Sequence, residues 1–295
     1  MIEQIGTAFP PGPLGALVGE CMRQVKLPPE WVRRIVVVAP EEYDALRLAV
    51  SNGVAQPLGP GITSLGWTWA ERINGNVLST IILPAKTVTD ALASDPCAFF
   101  TVSHEMGHAV DFRHRDTVSI PDLQHNAPFL KATVNTFYTE RFVQEFEANR
   151  HAAESLSPEL IHKCIRHVRG MYKHCREIIQ NHISGHNNGE VPNFTLAYQV
   201  SICAWEILVA IGSVHGYLAD PADLARAVAD KWDTRIREIE QLLVPASRRF
   251  ANEQPIPTAG ANAQLQGVWT TLMQNWGFSF VTSVDGDRIT YPGHP

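Results

Sequence analysis

Apolar and polar positions change period along this chain, and the changes mark its elements. Trp31–Ala39 is a β-branched, nearly continuous apolar run, which predicts a buried strand. Pro40-Glu41-Glu42 then opens a helical pattern that ends near Ser51, with Asn52-Gly53 as its stop. Residues 53–61 read as a Gly/Pro loop. Gly66–Ile73 and Val77–Leu83 flank Asn74-Gly75, the pairing expected of a hairpin with a tight turn. Val77–Leu83 is taken as the edge strand. Residues 1–13 look irregular because of Pro10-Pro11-Gly12-Pro13, and Leu14–Lys26 suits a short helix stopped by Pro28-Pro29.

From residue 97 onward the helical period dominates. A helix is expected from about Cys97, with Asp95 as N-cap and Pro96 in its first turn. Asn135–Ser155, Pro158–Ile183, Asn193–Leu218 and Pro221–Glu253 continue the pattern, with His186-Asn187-Asn188-Gly189 as a loop. Pro255-Ile256-Pro257 reads as a linker. A short helix at Ala261–Asn275 and a hairpin around Asp285-Gly286-Asp287 close the chain. Strands first and helices after imply an α+β fold.

The chain has 295 residues, 45% hydrophobic and 18% charged, so a sizeable core is expected and disorder is not. Its net charge of −6 gives no footing for nucleic acid or an anionic membrane as partner. Five scattered cysteines, an odd number without a C-x-x-C pair, argue against a disulfide framework and for a reducing compartment. Neither a signal peptide nor a transmembrane span is expected: the apolar stretch at Ile202–Ile211 is broken by Glu206 and is short. Cytoplasmic residence follows as the expectation, with export by a route that needs no cleaved signal as the alternative.

The chemistry-bearing pattern is His104-Glu105-Met106-Gly107-His108 inside the apolar helix. Residues four apart share a helix face, so His104 and His108 can offer two imidazoles to one metal ion, and Glu105 can serve a water held there as general base. Zinc is the usual occupant, and amide hydrolysis its usual chemistry. A hydrolytic zinc needs a third protein ligand and one open position. Glu145, on the Asn135–Ser155 helix, is the first choice, with Glu147 close by. Asn149, one turn beyond Glu145, suits a hydrogen bond that fixes a ligand histidine's tautomer. His114 completes a length match to HExxHxxGxxH, but Asp111 stands where that pattern needs glycine for a sharp break. Asp111 fits better as support for His104 or as a cap to the helix, and it remains a further ligand alternative. The histidines from His162 to His186, His182 and His186 among them, read as mostly surface residues.

These residues resemble the gluzincin clan of zinc metallopeptidases. Phe100-Thr101-Val102-Ser103-His104-Glu105-Met106-Gly107-His108 followed by Glu145-Phe146-Glu147-Ala148-Asn149 is similar to the ImmA/IrrE family, and the preceding hairpin fits it. His-Glu-x-Gly-His-Ala-Val-Asp also resembles the lethal-factor-like peptidases. In that branch a tyrosine seven residues before the ligand glutamate assists catalysis, and Tyr138 occupies that place as a donor to the developing oxyanion. The resemblance covers about residues 66–155. It implies a zincin-like core at 31–155, preceded by an N-terminal segment (1–30), followed by a helical region (156–254) and by a linker, short helix and hairpin (255–295). It implies a zinc endopeptidase acting on a protein or peptide. The rival is a regulatory, stress-response or toxin-like module that mainly binds a protein partner.

Overall fold

A computed structural model describes residues 2–55, 57–58, 65–114, 131–218, 232–253, 256, 258–283 and 286–291. The chain is α+β: many helices accompany a mixed sheet of four strands and a separate two-stranded hairpin. It divides into two compact units, residues 1–126 with 144–161, and residues 127–143 with 162–295.

The first unit holds the mixed sheet. Its strands are β1 (Ile2–Ile5), β2 (Val32–Val38), β3 (Trp67–Ile73) and β4 (Asn76–Pro84), in the order β1-β2-β4-β3. The pairs β1–β2 and β2–β4 are parallel, while β3–β4 is antiparallel. The β3–β4 turn is Asn74-Gly75, both at positive φ (50° and 80°), the conformation a two-residue type I′ hairpin requires. The sheet corrects two expectations. Residues 2–5 are a strand rather than irregular, paired in register with Ile35–Val38. The edge beside the hairpin is β3, not Val77–Leu83. β4 lies between β2 and β3, and Ser79 to Leu83 are all buried, as suits an interior strand; β3 alternates and carries Glu71 and Arg72.

The helices of this unit are α1 (Pro11–Gln24), α2 (Pro40–Val50), α3 (Ala85–Leu92) and α4 (Pro96–Arg113). Helix α4 packs on β3, β4, α1 and α3. The Asp95 side chain caps it by accepting from the Cys97 and Ala98 amides, with Pro96 in its first turn. Side chains alternate across β3. Trp67 and Trp69 stack on each other, 5.4 Å between ring centroids, and pack against Val38, Tyr43, Val50 and Ile82. Thr68 and Ala70 therefore face the other way, where Ala70 packs with Phe112 of α4.

Helix α5 (Lys131–His151) contributes residues up to Val143 to the second unit and residues from Gln144 to the first. The second unit also contains α6 (Pro158–Asn187), α7 (Asn193–Tyr217), α8 (Thr234–Asn252), α9 (Thr258–Asn275) and a hairpin of β5 (Ser279–Ser283) and β6 (Gly286–Thr290). Helix α7 is its centre: Trp205 stacks between Tyr138 and Trp269, and Gly212 meets the Phe142 ring so closely that a Cβ there would stand 2.2 Å from it. By length and composition α7 could cross a membrane, but 67% of its most apolar window is buried inside the structure, as in a core helix. Helix α6 runs four residues past its expected end at Ile183. Gly185 lets the chain continue, lying against Val191 where a Cβ would come within 2.7 Å, and Gly189 at φ 78° turns the chain. Residues 221–231 of the Pro221–Glu253 expectation lie outside the described residues, as do Pro255, Pro257 and Asp285.

Candidate metal centre

Helix geometry alone sets His104 and His108 on one face of α4, and the structure turns both rings the same way. Their Nε2 atoms lie 3.1 Å apart. Glu145 of α5 meets them from a second helix: its carboxylate oxygens are 3.6 Å from His104 Nε2 and 3.9 Å from His108 Nε2. One donor atom from each of the three residues falls within 4.8 Å of the others. The Glu145 side chain is 31% exposed, against 16% for His104 and 11% for His108, so the carboxylate is the most solvent-accessible of the three.

Two glycine-dependent approaches build this arrangement. Gly107 lies directly against α5, and a Cβ there would stand 2.6 Å from the Ala148 carbonyl oxygen. Ala148 is fully buried, so neither backbone can retreat without repacking. This contact holds the 104–108 turn against the 145–149 turn. The second approach is at Gly66, just before β3, where a Cβ would meet Glu105 Cγ at 2.5 Å.

Asn149 Oδ1 lies 2.6 Å from His104 Nδ1. The ring nitrogen donates and the amide oxygen accepts, which leaves the His104 Nε2 lone pair facing Glu145 and His108. Phe100 and Phe112 flank the two imidazoles along the helix, Phe112 stacking on His108 at 21°.

Glu105 is buried beside the pair. Thr68 Oγ1 is 2.8 Å from Glu105 Oε2 and 2.8 Å from the Glu105 main-chain oxygen, so its one proton serves or bridges the two acceptors. Burial pushes the Glu105 carboxyl up to about 7; the proximity of His104 and the Thr68 hydrogen bond pull it down, and the Glu145 carboxylate adds to the rise. A carboxylate poised there can accept and return a proton near neutral pH.

The remaining candidates make other contacts. Glu147, the competitor of Glu145, is buried and ion-paired to Arg150, with His151 Nε2 at 3.9 Å. His114 follows the last turn of α4 and packs edge-on against Trp31, 5.9 Å between centroids. Asp111 is buried one turn beyond His108. Tyr138 belongs to the second unit, stacked on Trp205 with its hydroxyl donating to Glu206 Oε1 at 3.4 Å. Burial, and then the Glu206 carboxylate, hold its phenol well above the usual range. His182 and His186 do sit four apart on one helix, but their Nδ1 atoms are bonded to the Ile178 and Val191 carbonyls.

Sequence reasoning missed Thr68 and Gly66, because their roles depend on which face of β3 meets α4. Gly107 carried a signal, a glycine inside an apolar helical run, which marks a close approach when a helix tolerates it.

Comparison of the chain with protein-family models, curated proteins and solved structures finds no match.

Proposed function

We propose that this chain is a zinc-dependent metallopeptidase that hydrolyses peptide bonds of a protein substrate. One observation carries the reading: two imidazole nitrogens and a carboxylate from separate helices converge beside a buried glutamate held by Thr68. The donor set fits the ion. Zinc–ligand bonds of about 2.0–2.1 Å put the ligand atoms of a tetrahedral site about 3.4 Å apart. The separations of 3.1, 3.6 and 3.9 Å bracket that value. His104, His108 and Glu145 would hold the metal, and three ligands leave one position open, as a catalytic site requires.

When bound, zinc supplies Lewis acidity and makes water more acidic. The protein's residues do the rest. Asn149 fixes the His104 tautomer so that Nε2 keeps its lone pair for the metal. Glu105 takes a proton from water and returns it to the leaving amine. Thr68 and the absent side chain of Gly66 hold the Glu105 carboxylate in one orientation. β3 is one edge of the sheet among the described residues, and an extended substrate adds to such an edge by main-chain hydrogen bonds. A zincin-like core of the ImmA/IrrE kind, with the lethal-factor-like peptidases as the second branch, is supported by the pairing of α4 with the Glu145 turn beside a hairpin-edged sheet. The cytoplasm suits the five free thiols.

The test has two arms. Purified protein is analysed for zinc and assayed on unfolded casein with and without chelator, and Glu105→Gln is carried through both. Stoichiometric zinc, chelator-sensitive cleavage and a metal-loaded but inactive Glu105→Gln are expected. Cleavage by Glu105→Gln as fast as by the parent removes the general-base assignment. Zinc without cleavage of any protein favours the partner-binding module.

A further inference from the structure

The second unit contains a half-open cavity of about 580 Å³ whose described lining residues all belong to that unit. Its wall is one face of α6: Tyr172, Arg176, Ile179 and Ile183 recur at helical spacing. Arg235 from the first turn of α8, Trp276 and Tyr291 line the same cavity. We propose that this cavity is a binding site for a small organic anion, an acidic head group carried on an apolar, planar body.

Charge is the first argument. Among the described residues neither Arg176 nor Arg235 makes an ion pair, although carboxylates are near. Asp233 is occupied as the N-cap of α8, its carboxylate accepting from the Ile236 amide at 3.0 Å. Glu238 lies within electrostatic reach of Tyr172 but does not close on either guanidinium. Among the described residues no carboxylate lines the cavity. Arg235 is also placed against its helix: a cation in the first turn opposes the macrodipole, which favours anions there. Such a residue gains more from an external anion than from its own helix.

Convergence is the second argument. Burial raises the Tyr172 phenol, with Asp233 adding to it, and Arg235 and Arg176 both act in the opposite sense. Both guanidiniums line the same cavity as that phenol, from different helices. Two planar, permanently charged forks and a phenolic donor lining one cavity suit a carboxylate, sulfonate or phosphate ester.

The lining is the third argument. Ile179, Ile183 and the buried Ile207 supply an apolar floor, and Trp276 and Tyr291 supply ring faces and edges. Tyr291 is steadied by Phe278, 5.0 Å between centroids, and by His186. The volume falls within the roughly 300–1,000 Å³ of small-molecule sites, large enough for a fused-ring compound. A free inorganic ion would leave this apolar surface unused.

The probe pair is anilinonaphthalene sulfonate and its neutral counterpart phenylnaphthylamine, titrated into the full chain by fluorescence at about 0.15 M salt, where exposed charges are screened. One saturable sulfonate site per chain is expected, with affinity lowered at least tenfold in Arg176→Gln and in Arg235→Gln, since a charge-assisted bond contributes about 1.5–3 kcal/mol. The neutral probe should bind the parent and both variants alike. Both arginines are exposed, so the variants should fold as the parent does. Equal sulfonate affinity in parent and Arg176→Gln/Arg235→Gln, or no saturable site, overturns the proposal. So does an equal loss for the neutral probe. None of these readouts involves zinc or proteolysis, so this inference stands or falls apart from the function proposed above.

Discussion

Gly107 of α4 and Ala148 of α5 touch backbone to backbone, with no room for one more carbon between them. A Cβ on residue 107 would stand 2.6 Å from the Ala148 oxygen and 3.0 Å from its Cα. The motif turn and the glutamate turn meet here, so spacing of the three donor atoms depends on a glycine that touches none of them. Gly107→Ala should cost about 1–3 kcal/mol of stability through overpacking, despite the helix propensity it gains. It should also weaken zinc binding at least tenfold by pushing the Glu145 turn outward. Calorimetric melting and a competitive zinc titration measure the two effects. An alanine variant that melts higher and keeps its zinc affinity would show that the helices separate freely.

Thr68 acts on Glu105 rather than on the metal. Its hydroxyl bonds to the charged carboxylate and so lowers the carboxyl's proton affinity. Thr68→Val removes that bond at nearly constant volume. Zinc content should be unchanged, turnover at neutral pH should fall roughly ten- to a hundredfold, and the acidic limb of the rate profile should move to higher pH. Gly66→Ala should have a harsher effect on the same carboxylate, because its Cβ would meet Glu105 Cγ at 2.5 Å. A Thr68→Val enzyme whose pH profile superimposes on the parent's would leave the threonine with a packing role alone.

Asn149 tests the tautomer argument. Asn149→Ala leaves His104 Nδ1 without its acceptor at 2.6 Å, so the ring can rotate or present the wrong nitrogen. Outer-shell partners of this kind typically contribute tenfold to a hundredfold in metal affinity. That loss, read by zinc competition, should appear with little change in melting of the metal-free protein. Unchanged affinity would mean that packing against Phe100 already fixes the ring.

Local rules made much of this arrangement legible. Asp95-Pro96 announced the start of α4, and helical spacing put His104 with His108 and Glu145 with Asn149 on shared faces. The β-branched run at 32–38 and Asn74-Gly75 announced β2 and the hairpin. What could not be read depends on partners distant in sequence. β1 is four residues long and exists through parallel pairing with β2. The interior place of β4 follows from that β2 pairing as well, which no alternation within 77–83 encodes. Thr68 shares a face of β3 with Ala70 and Gly66 just precedes the strand, but only the docking of α4 there gives them Glu105. Helix α6 outran its expected end because Gly185, a breaker by propensity, was the residue small enough to pass Val191.

His151, four residues past Glu147 on α5, makes the first unit sensitive to acid. Burial holds its imidazole down to about 4 from an ordinary 6.5, with the positive charge of Arg150 and then His114 and Lys26 adding to the effect. Glu147, at 3.9 Å, does not reverse this, because its carboxylate is taken by Arg150. The folded chain therefore resists protonation that the unfolded chain accepts. Above pH 6.5 both states are neutral at this residue and stability is full. As pH falls from 6.5 toward 4 the unfolded state binds a proton first, and stability declines by up to roughly 3 kcal/mol. His151→Gln cannot take up that proton, so its stability should be flatter across this window. Urea melts of metal-free parent and variant at pH 7 and pH 4.5 measure the difference. Equal acid losses in the two would mean that the decline belongs to other groups.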